Sequence, residues 1–419
     1  MDNQEPKGKE MKIGIAVFAY CRKDHLRRVL NALKENGAEK LYIFQDGLKN
    51  DAHKEGWLQT TELIESIDWC EVDYIKAETN QGLANSIVKG ITYVLSQNDA
   101  IIIVEDDCLP MPSFLTYMRQ CLEKYRDHKK VFHINGYGRP FYIKPDDSDM
   151  YFNYKMGCWG WGTWKDRWNK FDRHKDYLSM LRQNEDMSLK ATLWSGLDIE
   201  NILISSVSGE NDTWDVWWTL NVFENDGLCI NPYASLIENI GFDGSGTNCH
   251  GVTKKFNTES NKEQIVSFRF PEEEKVRDEV MYAFAESGWG SYTALKRMYQ
   301  KGEFTQTDLI SSTWKSEQKK ALVYGLGGGF RKNEQLINEM YEISGFIDKN
   351  RIGLYAGLPI LRPDEIEWGT NGFDAKKEYD IVITLLDRNE CQKISDLLVE
   401  RYKIDRERIV FINEIAEKT

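Results

Sequence analysis

The sequence predicts an α/β protein with a larger N-terminal unit and a smaller C-terminal one. Strand-like and helix-like segments alternate between residues 12 and 107, which is typical of a parallel sheet with right-handed crossovers. The apolar run from Ala100 to Val104 has the length of a strand buried on both faces, and it ends in three carboxylates. A shorter series of strand, glycine turn and helix begins at Lys320.

The first unit is predicted to hold four strands and three helices in alternation. The strands are expected at residues 12–20, 41–45, 72–75 and 100–104. The helices are expected after Asp24, where apolar residues recur at helical spacing, at 55–66, and from the motif Asn80-Gln81-Gly82-Leu83-Ala84 to about residue 95. The first strand leads into Cys21-Arg22-Lys23 without a glycine-rich loop. That argues against a dinucleotide site, a P-loop or a sugar nucleotidylyltransferase in this half.

The three carboxylates are Glu105, Asp106 and Asp107. Open α/β sheets bind ligands in the crevice beyond the carboxyl ends of their strands, which is where this triplet is expected. Its internal repulsion requires a cation, and hard oxygen ligands favour Mg²⁺ or Mn²⁺ over Zn²⁺. The alternative is a solvated acidic turn before a helix that starts near residues 111–113, and the triplet alone does not decide between them.

Composition narrows the classes of function. The chain has 419 residues, 41% apolar residues and 13 Trp, 20 Tyr and 18 Phe, which excludes a largely disordered protein. A formal net charge of -13 argues against a nucleic-acid partner. The eight cysteines form no C-x-x-C pair, which fits a reducing compartment and disfavours structural zinc. Residues 1–11 form a polar tail, and neither a signal peptide nor a run of ~18 apolar residues is seen, so a cytoplasmic protein is expected.

The order of these motifs resembles the nucleotide-binding half of a GT-A glycosyltransferase. It is similar to the N-acetylglucosaminyltransferase I-like group and to bacterial surface-polysaccharide transferases, over residues 12–250. The resemblance implies that Asp107 is the direct metal ligand, and that the donor contacts come from Arg22, Asp46, Asn80, Glu105 and Asp106. Taken alone, Arg22 could be a surface residue at a helix start and Asp46-Gly47 an ordinary turn. Only their joint order favours the functional interpretation.

A glycine-rich and tryptophan-rich segment follows at residues 157–164. Such a segment suits a loop whose backbone approaches a sugar while aromatic rings stack on it. The family has a similar Gly-x-Gly-Trp element, so Trp161 is expected to be a donor-binding residue. Core packing is the alternative, and it is favoured for most of these tryptophans.

Asp215 is the candidate catalytic base. An inverting transferase needs a carboxylate that accepts the proton of the acceptor hydroxyl, and the Trp214-Asp215-Val216-Trp217 core resembles the family's base segment. Val216 stands where the family can have a second acid. Asp212 is the second candidate, although it could simply be the N-cap of a helix that passes through Trp218.

A loop rich in glycine and hydroxyls follows at residues 241–250. Ser245, Thr247 and His250 could donate hydrogen bonds to a diphosphate if the loop closes over it. A plain surface loop is an equally good interpretation.

The C-terminal part is predicted as a helical connector at 251–319 and a small Rossmann-like domain at 320–419. Gly325, Gly327, Gly329 and Asp348 outline a dinucleotide fingerprint, but Phe330 replaces the expected third Gly or Ala. The unit resembles the small Rossmann-like domains of sugar-modifying and polysaccharide-assembly proteins, which favours a ligand-binding or assembly module over an active NAD enzyme.

The resemblance implies an inverting glycosyltransferase that depends on Mn²⁺ or Mg²⁺. The donor would be a nucleotide sugar, most simply UDP-linked, and the hexosyl or N-acetylhexosaminyl group would pass to a glycan or lipid-linked acceptor in bacterial surface polysaccharide assembly. Membrane contact would be peripheral at most, at the inner face, and a homo-oligomer stays open. The alternative is an NAD(P)- or nucleotide-sugar-binding oxidoreductase or binding protein centred on the C-terminal domain.

Overall fold

The computed structural model describes residues 10–139, 146–244, 260–303, 318–363 and 379–416. It confirms the α/β class with a second, smaller α/β part. The chain forms two compact units. The first comprises Met1–His174 and Ser208–Arg277, and the second comprises Lys175–Val207 and Asp278–Thr419.

Sixteen strands and fourteen α-helices lie within the described residues. Those up to residue 168 are β1 (Ile13–Ala19), α1 (Lys23–Glu35), β2 (Lys40–Gln45), α2 (Lys54–Glu65), β3 (Glu71–Lys76), α3 (Leu83–Gln97), β4 (Ala100–Glu105), β5 (Cys108–Pro110), α4 (Phe114–Lys124), β6 (Val131–Asn135), β7 (Met150–Asn153), β8 (Trp161–Trp164) and α5 (Lys165–Trp168). Those up to residue 300 are α6 (Tyr177–Gln183), α7 (Glu185–Ser195), α8 (Asp198–Val207), α9 (Asp215–Glu224), β9 (Leu228–Pro232), β10 (Ile237–Asn239), α10 (Asp278–Glu286) and α11 (Tyr292–Gln300). The remainder are β11 (Lys319–Tyr324), α12 (Gly328–Met340), β12 (Tyr341–Ile347), β13 (Gly353–Tyr355), β14 (Leu358–Leu361), β15 (Asp380–Ile383), α13 (Arg388–Glu400), β16 (Ile409–Phe411) and α14 (Ile412–Ala416).

The first unit is built on an eight-stranded sheet in the order β3-β2-β1-β4-β8-β6-β9-β7. The first four strands of that order are parallel, and β8 runs antiparallel to both β4 and β6. Alternate residues of β4 enter two separate apolar clusters, with Ile102 and Val104 in one and Ile101 and Ile103 in the other. Both faces of β4 are therefore buried, as the unbroken apolar run predicts.

The parallel order brings the ends of β1, β2 and β4 to one edge of the sheet. Directly after β4 the chain turns into the short strand β5, which pairs antiparallel with β10. The chain after β10 therefore passes beside the acidic triplet, because Asn239 is paired with Cys108.

The second unit has a six-stranded sheet in the order β13-β14-β12-β11-β15-β16. All its pairings are parallel except β13 with β14. Helix α12 starts directly at the glycine turn, at Gly328. The helical segment 177–207 belongs to this unit although it interrupts the first one in sequence. The predicted domain boundaries at 250 and 319 stay a prediction.

Among the described residues, no helix combines the length and the apolar character needed to cross a bilayer.

Candidate functional site

The acidic triplet lies at the carboxyl end of β4, with its three side chains in different surroundings. Asp106 is buried, whereas Glu105 and Asp107 are partly exposed. Burial, and after it the neighbouring carboxylates of Asp107 and Asp106, raise the pKa of Glu105 to about 8. Burial also raises the pKa of Asp106. The three acids thus lie together in a partly desolvated place, which disfavours the ionisation of all three at once.

Arg22 extends from the end of β1 onto two of these acids. Its Nη2 donates to Asp107 Oδ2 at 2.9 Å and also to Asp106 Oδ1. Burial alone would lower the pKa of Arg22, but Asp106 and Asp107 outweigh burial and raise it. The predicted association of Arg22 with the triplet is therefore direct, and the guanidinium keeps further N–H groups with which it could meet an anionic ligand.

Asp46 follows β2 and holds the turn before α3. Its Oδ1 accepts from the backbone of Gly47 and Gln81, both at 2.8 Å, and its Oδ2 accepts from Asn80 Nδ2 at 2.9 Å and Gly82 N at 3.1 Å. Asn80 Nδ2 also donates to Gly47 O at 2.8 Å. A carboxylate has about four acceptor positions, so these bonds occupy Asp46 in this structure. Contacts of Asp46 and Asn80 with a nucleotide sugar stay predictions.

Asp215 is the first residue of α9, not a residue in the helix interior, and the N-cap is Trp214. Thr213 Oγ1 donates to Asp215 Oδ1, and Oδ2 has no hydrogen-bond partner among the described residues. The Asp215 carboxylate raises the pKa of Glu105, which places the two groups within electrostatic reach of each other. Asp215 is therefore close enough to Glu105 to interact with it electrostatically, and its role as the base stays a prediction.

The side chain of Asp212 contacts the start of a different helix, α3. Its Oδ2 accepts from Ala84 N at 3.4 Å, and a Cβ added at Gly82 would lie 2.5 Å from it. The expectation that Asp212 caps the helix containing Trp218 is wrong, because that helix begins three residues later. Asp212 instead contacts the first turn of α3.

Cys158 lies among the carboxylates of the site. Burial raises the pKa of its thiol well above the usual value, and the carboxylates of Asp215, Glu105 and Asp107 raise it further. Cys158 is therefore close enough to these three carboxylates to interact with them electrostatically. Nothing in the sequence singles out this cysteine, since its neighbours carry the stronger glycine and tryptophan signal.

Trp161 is fully buried in β8. Its ring stacks between His133, at a centroid distance of 4.7 Å, and Trp214, at 5.1 Å. The ring therefore presents no face to solvent in this structure. Its surroundings are those of a residue packed in the core, which was the alternative to a sugar contact. Trp159 in the same segment is partly exposed, and sequence reasoning did not select it.

His25 is a second residue that sequence reasoning missed. Its Nε2 lies 3.2 Å from Ile240 O and 3.1 Å from Asp243 Oδ2. Ile240 N donates to Asp107 O at 2.8 Å. Helix α1 thus holds the segment that crosses the acidic triplet. Ser245, Thr247 and His250, which follow that segment, lie outside the described residues.

The triplet fits one type of divalent-cation site. No group of three or more His, Cys, Asp or Glu in the described part of the chain could enclose a metal by itself. Mg²⁺ commonly takes only one or two carboxylates and completes its shell with water and substrate phosphates. Asp107, the more accessible of the two acids that contact Arg22, fits such a shared site and not an all-protein cage.

The glycine turn of the second unit is held by Asp348. Its Oδ2 accepts from Leu326 N at 2.8 Å, and its Oδ1 accepts from the backbone of Asn350 and Arg351. Gly325 has a φ of +97°, which favours glycine, and a Cβ at Gly329 would lie 1.8 Å from Thr384 O. A Cβ at Gly327 would meet nothing within 4 Å. Gly325 and Gly329 are thus explained by the fold, and a ligand at the turn stays a prediction.

No protein-family model matches the sequence, and no curated protein is significantly similar to it. Solved structures resemble it only distantly. A mannosyltransferase from Pyrobaculum calidifontis, in complex with GDP-Man and Mn²⁺, has 6% identity and a TM-score of 0.30 over 52% of this chain and 70% of that chain. A UDP-glucose pyrophosphorylase complexed with UDP-glucose has 12% identity and a TM-score of 0.27 over 52% and 90%. A 4-diphosphocytidyl-2C-methyl-D-erythritol synthase from Anaerococcus prevotii has 10% identity and a TM-score of 0.27 over 52% and 86%. Similarity this low does not indicate a function, so the function is argued from the site.

Proposed function

We propose that the protein is an inverting, metal-dependent glycosyltransferase that uses a nucleotide sugar, most simply a UDP-sugar. One observation carries the proposal. Asp215 at the start of α9 lies within electrostatic reach of an acidic triplet that ends a central parallel strand. A transferase of this kind needs a carboxylate for the metal and diphosphate and a second one for the acceptor proton.

The chemistry follows from the surroundings of Asp215. The acceptor oxygen bonds to the anomeric carbon as the bond from that carbon to the diphosphate oxygen breaks, and the hydroxyl proton passes to Asp215. Thr213 orients the carboxylate through Oδ1 and leaves Oδ2 for the proton. A divalent cation at Asp107 would offset the charge on the departing diphosphate, and Arg22 supplies a fixed positive charge beside it.

The acceptor is proposed to be a glycan or a lipid-linked saccharide of bacterial surface polysaccharide. This part of the proposal rests on the resemblance of the motifs alone.

A nucleotide-release assay tests the proposal. The full chain is incubated with UDP-, GDP- and CMP-sugars in Mn²⁺ and, as a control, in EDTA. We expect nucleoside diphosphate to be released from a UDP-sugar in Mn²⁺ but not in EDTA. This release needs no acceptor saccharide, because the sugar can pass slowly to water. A parallel assay follows NADH and NADPH fluorescence with the same sugars. Cofactor turnover without nucleotide release would instead favour the oxidoreductase hypothesis.

A further inference from the structure

Three aromatic rings meet beside the candidate site, and we call Tyr137, Trp159 and Phe242 the aromatic corner. The Trp159 ring lies 4.7 Å from Tyr137 at an interplanar angle of 79°, and 5.6 Å from Phe242 at 76°. Tyr137 is buried, whereas Trp159 and Phe242 are partly exposed. The corner thus offers apolar aromatic surface to solvent on two of its three members.

Phe242 is tied to the candidate metal ligand by its own backbone. It follows Gly241, where an added Cβ would lie 2.4 Å from Asp107 Oδ2. The preceding Ile240 N donates to Asp107 O at 2.8 Å. The ring of Phe242 therefore stands one residue from a segment packed against the Asp107 carboxylate.

Trp159 is linked to Phe242 by ring contact, and through its neighbour Cys158 it is linked to the candidate base by electrostatics. It follows Cys158, whose thiol lies in the field of Asp215, Glu105 and Asp107. The corner is thus connected both to the carboxylate expected at the diphosphate and to the one expected at the acceptor hydroxyl. A transferred sugar must lie between these two groups.

The corner is rigid because its two segments pack closely on each other. Gly160 has a φ of +58°, and a Cβ there would lie 2.5 Å from the Ile237 side chain. Gly160 O accepts from Gly136 N at 2.7 Å. Larger residues at Gly160 would separate the Trp159 loop from β10. A preorganised aromatic surface loses little entropy when it binds a ligand.

We propose that Trp159 and Phe242 form the wall against which the apolar C–H face of the donor pyranose packs, beside Asp107 and Asp215. Aromatic rings supply large apolar contact area with few rotatable bonds, which suits a pyranose whose hydroxyls point away from its C–H face. This inference rests on the proposed function and replaces Trp161 by Trp159 as the ring that meets the sugar.

The test compares a nucleotide sugar with its free nucleotide on the full chain. UDP-N-acetylglucosamine, UDP-glucose, GDP-mannose, UDP and GDP are titrated by calorimetry in Mn²⁺ into wild type, Trp159→Ala, Trp159→Phe and Phe242→Ala. Trp69→Ala, which removes a partly exposed tryptophan elsewhere in the first unit, is the matched control. Melting temperatures establish that each variant is folded, and Phe242→Ala keeps the test open if Trp159→Ala unfolds.

In wild type, we expect one nucleotide sugar to bind more tightly than its nucleoside diphosphate. Trp159→Ala should remove most of that difference, about tenfold in affinity for one lost aromatic contact, and leave the nucleoside diphosphate unchanged. Phe242→Ala should remove part of this difference in affinity, and Trp159→Phe and Trp69→Ala should retain the difference. An undiminished difference in Trp159→Ala and Phe242→Ala overturns the subsite and leaves the transferase proposal standing. If no nucleotide or nucleotide sugar binds wild type in Mn²⁺, the proposed function itself fails, and the subsite fails with it.

Discussion

At the scale of single residues, Asp107 and Asp106 differ although both accept from Arg22. The Asp107 side chain is 18% exposed and that of Asp106 is 5% exposed. Asp107 can therefore reach a ligand-bound cation more easily, while Asp106 holds Arg22 and the end of β1, where Tyr20 N donates to it at 3.4 Å.

Asp107→Ala should abolish the Mn²⁺-dependent part of UDP binding and leave the fold intact, since Asp106 remains as a partner for Arg22. Calorimetry with UDP in Mn²⁺ and in EDTA measures this part directly. Asp127→Ala, which removes an exposed acid elsewhere in the same unit, is the control. Equal UDP affinity in wild type and Asp107→Ala would show that Asp107 does not hold the metal.

Asp215→Asn should lower kcat by about 10²–10⁴, the usual contribution of a general base, with little change in donor binding. The asparagine keeps an oxygen that can accept from Thr213, so its orientation should persist while its basicity is lost. Steady-state nucleotide release gives kcat and KM separately.

Asp212→Asn is the matched control for that change and should retain nearly the wild-type kcat, because Asp212 contacts the first turn of α3. The opposite pattern, with the loss in Asp212→Asn alone, would move the base to Asp212.

At the scale of elements, strand β6 is joined to α9 by a buried histidine. Trp218 Nε1 donates to His133 Nδ1 at 3.0 Å, so His133 Nε2 carries the proton and donates toward Asn135 Oδ1 at 2.9 Å and Gly157 O. Burial lowers the pKa of His133 to about 3. The ring is therefore neutral in the folded protein at ordinary pH.

This histidine should make folding stability fall as the pH falls below about 6.5. Below that pH the imidazole binds a proton in the unfolded state but not in the folded state. The free energy of unfolding therefore decreases by ~1.4 kcal/mol per pH unit until the pH reaches the pKa of the folded state. Between pH 7 and pH 5, wild type should lose about 2 kcal/mol more than His133→Gln, as measured by urea unfolding at each pH.

His174→Gln removes an exposed histidine and should follow the pH slope of wild type. Identical slopes in wild type and His133→Gln would mean that His133 is protonated as readily in the folded state as in the unfolded one.

Sequence patterns predicted the elements that local periodicity defines. The strands β1, β2 and β4 and the helices α1 and α3 lie within a few residues of the expected positions, because each buries a set of apolar residues at regular spacing. Polar side chains were harder to place. Asp46 could bind a ligand or accept from the turn at residues 80–82. Which of the two it does depends on the position of that turn, and a single sequence does not give this position.

At the scale of the whole molecule, the least predictable feature is which of the two units contains residues 175–207. These helices interrupt the first unit in sequence but pack within the second. Trp194 of α7 lies 4.7 Å from Phe284, and Asp198 of α8 pairs with Arg331 at 2.6 Å. Such contacts link residues far apart in sequence, which periodicity cannot detect.

A chain that ends at Arg277 should therefore be destabilised and prone to aggregate, because α7 loses the partners that bury Trp194. Replacing residues 175–207 in that shortened chain with a flexible Gly/Ser segment of about 15 residues should restore a monodisperse protein that binds UDP in Mn²⁺. Gel filtration, melting temperature and calorimetry compare the two chains. A shortened chain that is as stable with residues 175–207 as without them would contradict this division of the molecule.

The buried ring cluster around Trp161 has a spectroscopic consequence. The rings of Trp161 and Trp214 are stacked and nearly parallel, with an interplanar angle of 17°, and the rings of Trp168 and Trp218 lie within 6.3 Å of Trp161. Indoles this close should couple their electronic transitions and give a strong near-ultraviolet circular dichroism band and efficient transfer of excitation among the rings. The band would report the integrity of the first unit's interior, whereas a change in emission on adding a sugar would have to come from a tryptophan outside this cluster.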